Sequence, residues 1–315
     1  MAPIELQTLV EKIVRQVLQE LQVGNQRPVH RSQKGVESPG GLPQPMAVAN
    51  WKMNFPAGAD PASVDVRVLL EDFLTCLSTA PLEEIQAIIC PPASLLYPLA
   101  ETASKRFSNI ELGAQNLHPA ASGAHTGELS AALLKAAGAQ WVIVGHSERR
   151  AAGETDTDIA EKLGSAIKGG LGAILCVGET LEQRRRKSTF RVLRLQLEAA
   201  LNRGVRPRRP ENLAVAYEPV WAIGTGVKAL REQIVEATAF CRETIARVYT
   251  YADAKRIRIL YGGSVNPANT AEIMSVEEVD GLLVGGASLK GGSFADIVTE
   301  SAREYARKIE ALKAK

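Results

Sequence analysis

Three residues in this chain are placed to do chemistry together: a carboxylate, an imidazole and an ammonium, each at the end of a short apolar run. Glu218 follows the run 213–217 and lies in the segment AYEPVWAIGTG (216–226), where Pro219 opens a glycine-spaced loop and the Trp221 indole can anchor it. That is the wiring of a base beneath a lid that closes by small hinge rotations. His146 comes straight after the run 141–145 and is one of four histidines in the chain. Ser147 can start a helix there, which sets the imidazole beside helix-end dipoles that disfavour its protonation. A neutral imidazole donates a hydrogen bond to a carbonyl or an enediolate without giving up a full charge. Asn50 and Lys52 leave the run 46–50, and strand alternation puts both on one side. Together these groups suit removal of a proton from a carbon beside a carbonyl, with donors for the oxygen that turns negative. Singly, each has a plainer reading: a strand-end glutamate also caps or pairs with a cation, and a lone histidine is commonly a structural donor.

Such groups need elements that deliver them to one place. Apolar runs occur at 46–50, 87–90, 110–115, 141–145, 173–177, 213–217, 257–261 and 281–284, and segments with helical spacing lie between them at 64–77, 158–166, 191–201 and 231–249. Continuous apolar strands separated by helices make a parallel sheet buried on both faces. Eight units in this length fit a closed (β/α)8 barrel, with a doubly wound open sheet as the weaker alternative. In either, chemistry sits at the C-terminal ends of the strands. Gly285 and Gly286 after the last strand, Ser264 after the seventh, and Gly224 in the lid offer backbone N–H groups, and in Ser264 a hydroxyl, to an anion such as phosphate.

Composition sets the outer bounds. The chain has 315 residues, 45% hydrophobic and 5% aromatic, with a net charge of +2. One large core is within reach, and no global field favours nucleic acid or membrane. The basic clusters 184–187 and 203–209 read as solvated surface. Cys76, Cys90, Cys176 and Cys241 form no CxxC pair and lie in apolar contexts, which suits buried reduced thiols in the cytoplasm. No spacing suggests a metal site. Ahead of the barrel (46–315), Leu6, Leu9, Val10, Ile13, Val14, Val17, Leu18 and Leu21 recur at three and four, an amphipathic helix within 1–23. Residues 24–45, rich in Gly, Pro, Ser and Gln, read as a flexible linker. Glu11, Lys12 and Arg15 argue against a secretory signal; Glu5, Glu11 and Glu20 argue against a mitochondrial one.

Five motifs, MAVANWKMN (46–54), GHSERR (145–150), the lid run from 216, YGGSVN (261–266) and DGLLVGGAS (280–288), resemble the triosephosphate isomerase family in content and order. That family is itself an established example of pKa tuning and lid closure. The resemblance implies interconversion of dihydroxyacetone phosphate and D-glyceraldehyde 3-phosphate, in glycolysis and gluconeogenesis. Glu218 would be the base, with His146, Lys52 and Asn50 as donors to the enediolate, and with Gly224, Ser264, Gly285 and Gly286 at the phosphate. No cofactor and no metal are implied. Ser147 contacts the base in the family; Glu148 either orients Lys52, as there, or pairs with Arg149 or Arg150. The stretch 113–128 resembles the protruding loop by which two subunits complete each other's sites, Thr126 reaching toward the partner's Asn50, and so implies a homodimer. Residues 1–23 resemble the encapsulation peptides that tether enzymes to bacterial microcompartment shells, which implies a shell-protein partner and, besides the cytoplasm, the compartment lumen. Two other functions stay open: isomerisation of a four-carbon sugar phosphate by the same chemistry, and a non-catalytic scaffold barrel. Two departures stand out: AAGE (151–154) lacks an aromatic residue common there and is one residue short, and 227–229 lacks a common hydroxyl residue.

Overall fold

A computed structural model describes residues 43–56, 65–107, 109–202, 206–223 and 228–314. The expected helix in 1–23, most of the linker, Val64, Val227 and Gly224 lie outside the described residues. Eight strands close into one parallel barrel in chain order. They are β1 Met46–Asn50, β2 Gln86–Cys90, β3 Ile110–Ala114, β4 Trp141–Val144, β5 Gly172–Val177, β6 Leu213–Tyr217, β7 Arg258–Tyr261 and β8 Gly281–Val284. Around them run α1 Val66–Leu77, α2 Ala93–Arg106, α3 Ala131–Ala136, α4 Ser147–Ala151, α5 Asp156–Lys168, α6 Leu181–Arg185, α7 Thr189–Leu201, α8 Arg231–Val248, α9 Tyr251–Arg256, α10 Pro267–Met274 and α11 Gly291–Lys313. The closed barrel expected from the alternation is thus observed, and the open-sheet alternative is excluded by β1 pairing with both β2 and β8.

Side-chain alternation splits the apolar residues into two cores. Met46, Val48, Ile88, Cys90, Ile143, Ile174 and Cys176 fill the barrel interior. Their strand neighbours, such as Ala47, Ala49, Ile89 and Leu175, face the helices. This division is why the runs are apolar without interruption, and it fixes which strand-end residues turn into the mouth. Three of the four cysteines are buried, Cys90, Cys176 and Cys241; Cys76 is exposed, contrary to expectation, because it falls on the outward side of α1, away from Leu70, Phe73, Leu74 and Leu77.

The barrel floor corrects the linker boundary. Pro43 and Pro45 are buried and Gln44 half-buried. The Arg258 guanidinium donates to the Gln44 carbonyl (2.6 Å) and to that of Glu211 (2.8 Å), the Tyr305 hydroxyl donates to the Pro43 carbonyl, and the Gln86 N–H donates to the Pro45 carbonyl (2.9 Å). Composition alone assigned these three residues to a free tether; their carbonyls instead accept from a guanidinium that is 5% exposed, a tyrosine hydroxyl and a strand N–H.

Candidate active site

The end of β6 carries Glu218 into the mouth. Its N–H continues the ladder to the Val177 carbonyl (2.8 Å), and a Cβ on the adjoining Gly178 would overlap the Glu218 carbonyl oxygen at 1.7 Å, so only glycine lets the two chains approach here. The carboxylate is 2% exposed. The Ser147 N–H donates to Oε2 at 3.0 Å, and His146 Nε2 lies 3.1 Å from Oε1. Burial pushes the Glu218 carboxyl above its ordinary value, against the opposing pull of His146, Ser147 and Lys52.

His146 owes its orientation to α4, which it caps. Its Nδ1 accepts the Glu148 N–H at 3.2 Å, which leaves the ring proton on Nε2, on the Glu218 side. Lys52 is reached from β1 through a turn that puts its own backbone at φ 52°, a left-handed conformation costing on the order of 1 kcal/mol for a residue with a Cβ. Side-chain bonds hold the turn: Asn50 Oδ1 accepts the Lys52 N–H (3.1 Å), and Gln115 Nε2 donates to the Lys52 carbonyl (2.8 Å) and to the Cys90 carbonyl (2.9 Å). Lys52 Nζ lies 2.5 Å from Glu148 Oε1. Arg149 and Arg150 pair elsewhere, with Glu154 and Asp156, so of the two readings of Glu148 the geometry favours the one in which it orients the lysine.

The anion-binding candidates divide. Gly285 and Gly286 lead from β8 into a 3-10 turn, and a Cβ on Gly285 would sit 3.8 Å from Lys52 Cε, which puts that turn beside the ammonium. Ser264 is half-buried after β7, its carbonyl bound by Asn269 Nδ2 at 2.8 Å. Thr126 stands on the exposed stretch 121–128, away from its own chain's core.

Sequence reasoning missed several contributors. Glu179 is fully buried after β5 and gathers the Tyr217 hydroxyl (3.2 and 3.3 Å), Trp221 Nε1 (3.0 Å) and Arg184 Nη1 (2.9 Å), tying the near end of the lid run to a neighbouring strand. Arg184 also lies over the Trp221 ring at 5.0 Å. At the far end, burial pushes the Tyr261 hydroxyl up to about 12, against the opposing pull of the Ala229 backbone. Cys176 faces Glu218 from inside the barrel, its thiol raised well above its ordinary value by burial and by that carboxylate. Gln115 and Arg150 brace the main chain, Arg150 through the Gly145 (2.9 Å) and Cys176 (3.2 Å) carbonyls. Gly178-Glu179 repeats the pattern that exposed Glu218, an apolar run ending in an acid, and was there to be read.

A buried carboxylate facing an imidazole, with an ammonium alongside and glycine turns at the strand ends of a closed barrel, defines an aldose–ketose isomerase that works by enolisation. Residues 45–301 match the family model described as triosephosphate isomerase. The triosephosphate isomerase of Rhodopirellula baltica is 42% identical over 254 residues, covering 80% of this chain and 96% of that one; that of Ruegeria pomeroyi is 45% identical over 255 residues, covering 81% and 96%. The crystal structure of triosephosphate isomerase from Bartonella henselae superposes with a TM-score of 0.70 at 37% identity, over 82% of this chain and 98% of that one. The chain belongs to the triosephosphate isomerase family.

Proposed function

We propose that the enzyme interconverts dihydroxyacetone phosphate and D-glyceraldehyde 3-phosphate, with Glu218 moving the proton. The observation that carries this assignment is the 3.1 Å approach of His146 Nε2 to the buried Glu218 carboxylate. The phosphate is held by N–H groups of Gly285, Gly286, Ser264 and, from the lid, Gly224, and its binding energy is spent on closing the lid over the reacting carbons. Glu218 removes a proton from the carbon beside the carbonyl, a step worth roughly 10²–10⁴ in rate. The His146 Nε2–H, the Lys52 ammonium and the Asn50 amide meet the enediolate oxygens, each contributing about 3 kcal/mol by comparison with oxyanion-hole donors. The proton then returns to the adjacent carbon. Glu148 positions Lys52, and Ser147 holds the carboxylate between turnovers. Assays on three- and four-carbon ketose phosphates test the substrate; preference for the four-carbon compound transfers the same chemistry to the alternative substrate, and no turnover of either leaves a scaffold.

The same reading makes the chain a homodimer in which Thr126 of one subunit reaches the partner's Asn50. It also makes 1–23 an encapsulation peptide, joined by its linker to an enzyme that works in the cytoplasm or in a microcompartment lumen. The eight apolar positions from Leu6 to Leu21 support this, because an isolated helix of that length is marginal in water and gains stability by laying its stripe in a groove. Deleting residues 1–42 and following co-assembly with shell proteins tests it, and undiminished loading overturns it. Among the described residues, no helix is long and apolar enough to cross a membrane.

A further inference from the structure

Helices α7 and α8 stand side by side outside β5 and β6, about half way round the closed barrel from β1 and β2. Their outer face joins three features that a solvated surface does not require. First, the Phe190 ring packs against Phe240 across the two helices at 4.8 Å, yet Phe190 stays 43% exposed and Leu195, five residues on, 50% exposed. Second, the exposed side of α7 carries two basic residues, Arg191 and Arg194. Third, the exposed side of α8 carries the opposite sign at Glu232 and Glu236, one turn apart. Arg191, Arg194, Glu232 and Glu236 are all exposed and have no ion-pair partner among the described residues.

The face is therefore apolar at its centre, positive on the α7 side and negative on the α8 side. A surface patterned in this way matches itself after a half-turn: a two-fold axis beside the phenylalanine pair lays α7 of one copy on α8 of the other, twice over, with each guanidinium opposite a carboxylate. We propose that this face is an interface with a second copy of this chain. It lies three strand positions round the barrel from the root of 113–128, so the two contacts use different surfaces, and together they build assemblies larger than a dimer.

Sedimentation velocity on the full chain over roughly 5 to 200 µM, in about 50 mM and about 500 mM salt, tests the proposal, because contacts between exposed charges are screened in the second buffer. The expected result is a species that grows with concentration and recedes with salt. Arg194→Glu and Glu236→Arg should each weaken that association at least about tenfold by setting like charges face to face, and the double variant should restore it. Turnover of all three variants should match the parent, which shows that they fold. A sedimentation coefficient independent of concentration across the range overturns the proposal. So does growth that both single reversals leave intact, since a contact through 113–128 or through the N-terminal segment would be indifferent to them. Failure of the proposed homodimer reads differently, as a monomer that still associates with the same charge-reversal pattern.

Discussion

Gly262 leaves the space that Glu218 fills: a Cβ on that glycine would come within 2.9 Å of Glu218 Cγ. Gly262 takes its place from the β6–β7 ladder, its N–H bonded to the Tyr217 carbonyl at 2.8 Å, so the backbone cannot easily yield. The carboxylate must move instead. Gly262→Ala should therefore lower kcat by about 10²-fold, the cost of a misplacement near 1 Å, with a smaller change in KM. Steady-state kinetics on the folded variant checks this, and an unchanged kcat would mean that the base tolerates displacement.

Glu218 is raised above its ordinary value by burial. A carboxyl that holds its proton more tightly when folded adds stability below the unfolded value, about 4.3 for glutamate, and that stability is lost as the pH rises through the folded value. Glu218→Gln removes the loss. The variant should melt higher than its parent at about pH 8 and with it at about pH 4, while turnover falls at least ~10²-fold, the lower bound for losing a general base. Melting curves at both pH values with parallel activity assays decide the matter; a variant less stable than its parent at the higher pH refutes the assigned burden.

Leu230 occupies the N-cap position of α8 with no side-chain acceptor, and it is 62% exposed. The Gln233 side chain already accepts the Leu230 N–H at 3.0 Å, which is half of a capping box. Leu230→Ser supplies the other half and should stabilise the fold by about 1 kcal/mol. Thermal unfolding should show a rise of about 1–2 °C for a chain of this size.

Removing residues 1–42 should leave the melting temperature of the barrel nearly unchanged, whereas removing 1–45 should not. The second truncation strips the Gln44 carbonyl from Arg258 and the Pro43 carbonyl from Tyr305. A lost hydrogen bond to a buried charge costs about 1.5–3 kcal/mol, so the two truncations should differ by several degrees. Equal melting temperatures would show that 43–45 are dispensable.

The barrel was legible in the chain because period and punctuation express it directly: every apolar run became a strand, with ends moved by a residue at most. The convergence of Glu218, His146 and Lys52 in the candidate site was legible for the same reason, since each follows such a run. What escaped depends on contacts between distant segments. Glu179 matters because Tyr217, Trp221 and Arg184 fold around it, and the docking of 43–45 depends on backbone carbonyls, which leave no trace in side-chain composition. Cys76 was misread because apolar neighbours in sequence do not say which side of a helix a residue takes.

β1 is five residues long and runs from the clamped Pro43–Pro45 stretch to Asn50 and Lys52, roughly 16 Å at 3.3 Å per residue. Handle and catalyst are thus opposite poles of a single strand. The chain therefore enters the barrel at the pole of β1 away from Asn50 and Lys52.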